Sequence, residues 1–129
     1  MANPVLYKSA IICGFFHILS IIYFGGKPLM NGVYVCGVGT SIWNHGVTND
    51  LVKRIDRIVI FFGIFVDTYY IMTSPVVMAT VTFNILTTTI LSYLRAKLTK
   101  GVHSDGNPYH LTSHVLATCL HVILLSIHS

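Results

Sequence analysis

Charged side chains are scarce in this sequence. Only 9% of the 129 residues are Asp, Glu, Lys or Arg, while 53% are hydrophobic and the mean hydropathy is +0.72. A soluble domain carries about 25% charged residues, so this chain lacks the polar surface that a soluble globule needs. The composition therefore predicts an integral, multi-pass membrane protein. The net charge of +4 comes from a few basic residues beside apolar runs, which does not indicate nucleic-acid binding.

Signals of an extracellular or disulfide-stabilised protein are sparse as well. The sequence contains no Asn-X-Ser/Thr site, and its N-terminal residues do not resemble a signal peptide. The three cysteines, Cys13, Cys36 and Cys119, all lie within apolar segments. They predict small buried thiols rather than a disulfide framework.

Five apolar segments approach the roughly 20 residues that a membrane-spanning helix needs. They predict an all-α membrane bundle in a single domain, residues 1–129. Ser74-Pro75 separates the third and fourth segments. If these two segments formed one kinked helix, the chain would have four spans. Residues 55–93 are, however, too many for one span. A polar loop from Arg95 leads to Asn107-Pro108, which opens the fifth segment. The segments cover residues 6–24, 29–46, 55–73, 75–93 and 109–127.

Basic residues are distributed unevenly between the two faces that five spans define. The N-terminus, the loop after the second segment and the loop after the fourth share one face. The opposite face carries only Lys27. Because cytoplasmic loops are enriched in Lys and Arg, we expect the N-terminus inside and the C-terminus outside. The basic residues of the inner face are Lys8, Lys53, Arg54, Arg57, Arg95, Lys97 and Lys100.

This topology places polar residues from three segments at one membrane depth, near the inner face. Ser41 and His45 are four residues apart on the second segment, and His110 and His114 have the same spacing on the fifth. Three histidines can bind one metal ion and leave a position open for water, and zinc is the natural candidate. Asp56 would then act on that water and Ser41 on a developing oxyanion. Taken singly, each histidine is more simply read as a backbone-bonded helix cap or interface residue.

The order and spacing of these residues, S-x3-H-x10-D followed by a late H-x3-H, resemble a membrane hydrolase superfamily. It comprises alkaline ceramidases, progestin and adiponectin receptors, and hemolysin III-like proteins. "SIWNH" is similar to the receptors' "NIWTH", and "RIDRIVIFFGIFVDTYYIMTSP" is similar to the hemolysin III-type "RLDH…IF…AGTYTP". The resemblance covers about 40 residues, or one third of the chain.

The resemblance implies a zinc ion bound by His45, His110 and His114, with Ser41 and Asp56 near the water that the zinc holds. It also implies hydrolysis of a lipid amide such as ceramide. This sequence departs from the family in three ways. It has five predicted spans rather than seven, Arg57 where ceramidases carry an acid, and Leu111-Thr112-Ser113 where an aromatic residue is frequent.

Three further ionisable residues lie deep within the apolar segments. His17, Asp67 and His121 could form a buried polar relay, since ionisable groups at membrane depth are costly and are functional candidates by default. A more specific alternative is that His17 and His121 are the axial ligands of a haem. The simplest interpretation is that each histidine bonds a neighbouring helix and that Asp67 pairs with a buried histidine.

Taken together, the sequence predicts a zinc-dependent hydrolase of a ceramide-like lipid amide or an ester, acting on a substrate from the bilayer. A homo-oligomer that completes its pocket fits this prediction. The alternative is a non-catalytic accessory subunit of a larger membrane complex, with or without a structural metal or haem. An open coordination position on the metal and lipid amidase activity would distinguish the first from the second.

Overall fold

A computed structural model describes residues 4–99 and 108–129, and these residues form five α-helices. The all-α prediction is therefore confirmed, and the third and fourth predicted segments are separate helices. The loop that the sequence predicts before the last helix, including Lys100 and Asn107, lies outside the described residues. The helices are α1 (Pro4–Phe24), α2 (Pro28–Gly46), α3 (Asp50–Met72), α4 (Val76–Leu98) and α5 (Pro108–Ile127).

Two helix boundaries differ from those predicted by hydropathy. α3 begins at Asp50 rather than near Ile55, because the Asn49 side chain accepts hydrogen bonds from the backbone N–H groups of Leu51 and Val52. Such an N-cap contributes about 1 kcal/mol of helix stability. α4 continues to Leu98 rather than ending near Tyr93, so the loop begins four residues later than Arg95, where the sequence predicts it. Hydropathy marks where a helix is apolar, not where its backbone hydrogen bonds end.

Hydrogen bonds between helices establish their relative directions. Ser9 and His17 of α1 bond His114 and His121 of α5 respectively, so α1 and α5 run parallel. The pairs Asn44–Asp56 and Tyr34–Asp67 run in opposite orders, so α2 and α3 are antiparallel. The helices form a ring in which α3 packs on α2, α2 on α1, α1 on α5 and α5 on α4. The ring is closed only weakly between α3 and α4.

The two ends of this ring are filled differently. A tightly packed apolar core occupies the end that contains the short α1–α2 and α3–α4 turns, with Met30, Leu124 and Leu125 fully buried. Gly25 and Gly26, both at positive φ, terminate α1 there, a conformation that glycine adopts without a Cβ penalty. The other half of the ring encloses a cavity of about 710 Å³ to which all five helices contribute. Every buried histidine and aspartate of the described residues lines this cavity.

Three of the helices are long and apolar enough to cross a membrane: α1, α4 and α5. This finding supports a membrane protein, while the predicted five spans remain a prediction. α2 is rich in glycine, and α3 carries Lys53, Arg54 and Asp56 in its first two turns, which lowers the hydropathy of both. Much of the bundle surface is apolar; it includes Cys36 and Cys119, which are exposed rather than buried as the sequence predicted.

Candidate metal site

Three histidines from two helices converge at the cavity end of the bundle. One ligand nitrogen from each of His45, His110 and His114 lies within 4.8 Å of the others. The centroid of the His45 ring is 5.0 Å from that of His110 and 5.1 Å from that of His114, and the last two are 4.9 Å apart. The three rings therefore surround one small volume, and this cluster could bind a metal ion.

The sequence explains why these side chains meet. His45 lies at the end of α2, and His110 and His114 face the same direction from the first turns of α5 because they are four residues apart. His45 is buried, with 6% of its surface exposed, and the other two histidines are half-buried. Tyr93 of α4 packs edge-on against His110, with their ring centroids 5.6 Å apart. These contacts hold the rings in place.

A serine that sequence reasoning missed orients one of the three histidines. The Ser9 hydroxyl of α1 lies 3.1 Å from Nδ1 of His114. When Nδ1–H donates to Ser9, the neutral ring keeps its lone pair on Nε2. Metal-binding histidines almost always bond their second nitrogen in this way. Ser9 stands alone in an apolar segment, so no sequence spacing marks it.

Replacing Ser9 by alanine should weaken zinc binding by about 10- to 100-fold, because His114 would lose the hydrogen bond that fixes its tautomer. Competition with a chromophoric chelator would measure the dissociation constant of the detergent-purified protein. Ser20→Ala is the matched control, since Ser20 is on the same helix and, among the described residues, its hydroxyl bonds the carbonyl of Phe16 rather than a histidine. Equal affinities of the Ser9 and Ser20 variants would show that Ser9 does not support the ligand.

Asp56 contributes a buried carboxylate to the same cavity. Only 4% of its surface is exposed, and Oδ2 accepts a 2.9 Å hydrogen bond from the amide of Asn44, the residue before His45. Oδ1 is buried and has no hydrogen-bond partner within the described part of the chain. The Thr40 hydroxyl donates to the carbonyl of Gly37 at 3.3 Å and also lies close enough to interact with the Asp56 carboxylate. A buried carboxylate oxygen without a partner is costly, so Oδ1 is suited to receive a proton or a donor inside the cavity.

Ser41 also lines the cavity, one helical turn before His45. The cavity wall thus contains all five residues that the sequence singled out for the metal site. Arg57 and Lys97 add two positive charges to this wall, and Lys97 also lies over the ring of Tyr93 at 4.8 Å. Most of the remaining lining is apolar, from residues such as Ile64 and Ile90.

The three deep ionisable residues lie together on another part of the wall. His121 Nε2 is 2.9 Å from Asp67 Oδ2, and His121 Nδ1 is 2.8 Å from His17 Nε2. The structure thus places Asp67 against a buried histidine, which was the simplest expectation. His17 and His121 are in direct hydrogen-bond contact with each other.

Comparisons of this chain with protein-family models, curated proteins and solved structures find no match.

Proposed function

We propose that this protein is a metal-dependent membrane hydrolase that cleaves a ceramide-like lipid amide or an ester. The proposal depends on one observation, which is that His45, His110 and His114 converge in a cavity. Asp56 lines the same cavity. Three imidazoles in a cavity that also contains a buried carboxylate are the elements of a hydrolytic metal centre. The sequence resemblance to ceramidase-like proteins supports the same reaction.

The donor set fits zinc. Zinc accepts neutral imidazole nitrogens at about 2.0–2.1 Å, and catalytic zinc sites use three protein ligands. Nitrogens that share a tetrahedral ion at this distance are about 3.3 Å apart, so ligands lying within 4.8 Å of one another need to move only slightly. No thiol belongs to this cluster, which favours zinc over ions that prefer sulfur. Ser9 behind His114 supplies the outer hydrogen bond that such ligands normally have.

The roles of the side chains are assigned from their chemistry and from the cavity that they share. His45, His110 and His114 would hold a divalent ion, which would polarise a carbonyl and make water more acidic. Asp56 would take the proton from the attacking water at Oδ1 and pass it to the leaving amine of an amide or the leaving alkoxide of an ester, while Asn44 holds Oδ2 in place. Ser41 donates its hydroxyl to the oxygen on which negative charge develops.

The cavity indicates the class of substrate. Its volume of about 710 Å³ is in the range of sites for molecules of roughly drug size, and its wall is largely apolar. A long acyl chain fits such a wall, and the amide or ester group would then lie at the polar end with the histidines. Arg57 and Lys97 favour a substrate whose polar part accepts hydrogen bonds or carries negative charge.

The membrane setting of this proposal is a multi-pass protein with five spans and its N-terminus inside. Lys8, Arg57 and Lys97 lie on helix segments at the cavity end of the bundle, whereas Lys27 lies in the turn at the opposite end. This distribution supports an inner location of the cavity end, as cytoplasmic flanks are rich in basic residues.

Hydrolysis of an N-acyl sphingoid lipid by the zinc-loaded protein tests the proposal, with Gly37→Leu as the informative variant. Gly37 lines the cavity, and a Cβ at this position would meet no atom within 4 Å. A leucine side chain should therefore fill the acyl-binding space without disturbing α2. We expect kcat/KM for a long-chain substrate to fall about 10-fold or more, because displaced acyl contacts are worth about 0.8 kcal/mol per CH₂. Zinc content should stay unchanged.

Gly39→Leu is the matched control for this variant. Gly39 is exposed on the same helix, does not line the cavity, and also has open space around its Cβ. Its substitution should leave hydrolysis intact. Zinc-loaded wild type without detectable amidase or esterase activity would contradict the proposal and would favour an accessory membrane subunit with a structural metal.

A further inference from the structure

A second polar group on the cavity wall joins four helices through hydrogen bonds. His17 Nδ1 lies 2.7 Å from the carbonyl oxygen of Cys13, and its Nε2 lies 2.8 Å from His121 Nδ1. His121 Nε2 lies 2.9 Å from Asp67 Oδ2. Tyr34 donates its hydroxyl to Asp67 Oδ1 at 2.8 Å, and its ring stacks on His121 with centroids 3.9 Å apart. Every polar atom of the two rings and the carboxylate therefore has a partner.

The number of protons in this chain follows from its two ends. The Cys13 carbonyl can only accept, so His17 Nδ1 must carry a hydrogen. If His17 is neutral, its Nε2 is an acceptor, and His121 Nδ1 must donate to it. A neutral His121 would then have no hydrogen on Nε2, and two acceptors would face each other across the 2.9 Å contact with Asp67. One more proton is needed, on His121, on Asp67 or, with the bonds reversed, on His17.

The position of the group favours exchange of this proton with the cavity. His17, Asp67 and His121 all line the cavity wall, and the His121 side chain is 18% exposed while that of Asp67 is 5% exposed. His121 is seven residues beyond His114, or about 10 Å along α5, so the group is separate from the metal ligands. Proton relays within membrane proteins commonly consist of chains of histidine and acidic residues.

Other titratable groups around the relay do not supply the missing proton. Tyr34 of α2 already donates to Asp67, and Tyr70 of α3 is the nearby second phenol. α1 contributes His17 itself and the thiol of Cys13, which donates to the carbonyl of His114. The titratable residues of α4 on the cavity wall are Tyr93 and Lys97, near His110 at the metal end.

We propose that His17, His121 and Asp67 form a proton-binding relay. Besides the one N–H hydrogen of each neutral imidazole, the relay binds one further proton and exchanges it with the cavity. With the proton bound, the three groups together are neutral. Release of the proton leaves two neutral rings beside the Asp67 carboxylate and lowers the net charge by one. The relay gives the cavity an acid–base group about 10 Å along α5 from the metal ligands, and it requires neither the metal nor hydrolysis.

Nitrogen-15 NMR of histidine-labelled full-length protein in detergent tests the proposal at neutral pH. The side-chain shifts distinguish imidazolium from each neutral tautomer, and His17→Asn and His121→Asn assign the signals. We expect either one imidazolium in the pair or two neutral rings with an infrared carboxylic-acid band from Asp67. Two neutral rings beside an ionised Asp67 would overturn the proposal.

Exchange of the proton is tested by raising the pH of the same sample. Wild type should release about one proton per chain as the imidazolium or carboxylic-acid signal disappears. Asp67→Asn, which keeps a side chain of the same shape, should show neither the signal nor its release. His128→Asn is the control, because His128 bonds Ser74 and Tyr70 at the opposite end of the bundle and should leave the signal unchanged. A signal that persists until the protein unfolds would identify a fixed structural ion pair and overturn the relay.

Discussion

His45→Ala and His114→Ala should each abolish tight zinc binding. Each variant removes one of three ligands that come from two separate helices, and two imidazoles alone leave the ion with mostly water. We expect about one zinc per chain in the wild type and a loss of affinity in both variants greater than the roughly 100-fold that an outer hydrogen-bond partner can cause. Elemental analysis after zinc loading and gel filtration measures the stoichiometry, and chelator competition measures the affinity.

The two variants are informative because their ligands are far apart in sequence. Loss of zinc in both would show that α2 and α5 contribute to one site, whereas binding by α5 alone would survive His45→Ala. His128→Ala controls for the removal of a histidine as such, since His128 lies at the opposite end of α5. Wild type that fails to bind zinc, or that retains it in His114→Ala, would contradict the proposed metal site.

Asp56→Asn should reduce hydrolysis by about 10²- to 10⁴-fold, the usual contribution of a positioned general base. The amide keeps the shape of the side chain but cannot take a proton at the position of Oδ1. Zinc content should remain near that of the wild type, because Asp56 is not in the histidine cluster. Initial rates with an N-acyl lipid, measured beside zinc content, separate a lost base from a lost metal.

Asp50→Asn is the control for this experiment. Asp50 is exposed in the first turn of α3, six residues before Asp56, and the same chemical change there removes one charge from the same helix. Its rate should match that of the wild type. An Asp56→Asn variant that hydrolyses lipid at the wild-type rate would exclude Asp56 as the proton acceptor.

The convergence of the metal-site residues could be anticipated from sequence, and the reason is geometric. Hydropathy locates helix ends to within a few residues, and alternating helix directions then assign His45, Asp56 and His110 to the same end of the bundle. The spacing of four residues adds which side chains share a helical face. These two arguments place the three histidines at one depth, and the structure shows that His45 of α2 meets the two histidines of α5.

The order of helices around the ring could not be predicted in the same way. Hydropathy does not distinguish neighbours when nearly every face of a helix is apolar. The sequence therefore did not predict the contact of α1 with α5 or the hydrogen bond between Ser9 and His114. The same uncertainty about facing explains why Cys36 and Cys119 were wrongly expected to be buried. Tyr34 in the relay was missed because a tyrosine within an apolar segment has no distinguishing pattern.

The parallel pairing of α1 and α5 has a consequence for biosynthesis. α1, α2 and α3 can associate as they emerge from the ribosome, since each packs on its predecessor, but the ring closes only when the last helix meets the first. His110 and His114 are on that last helix, and Ser9 and His17, to which α5 bonds, are on the first. Acquisition of a metal ion would thus report that α5 has been made and has packed against α1, and chains that stop before α5 would lack two of the three ligands.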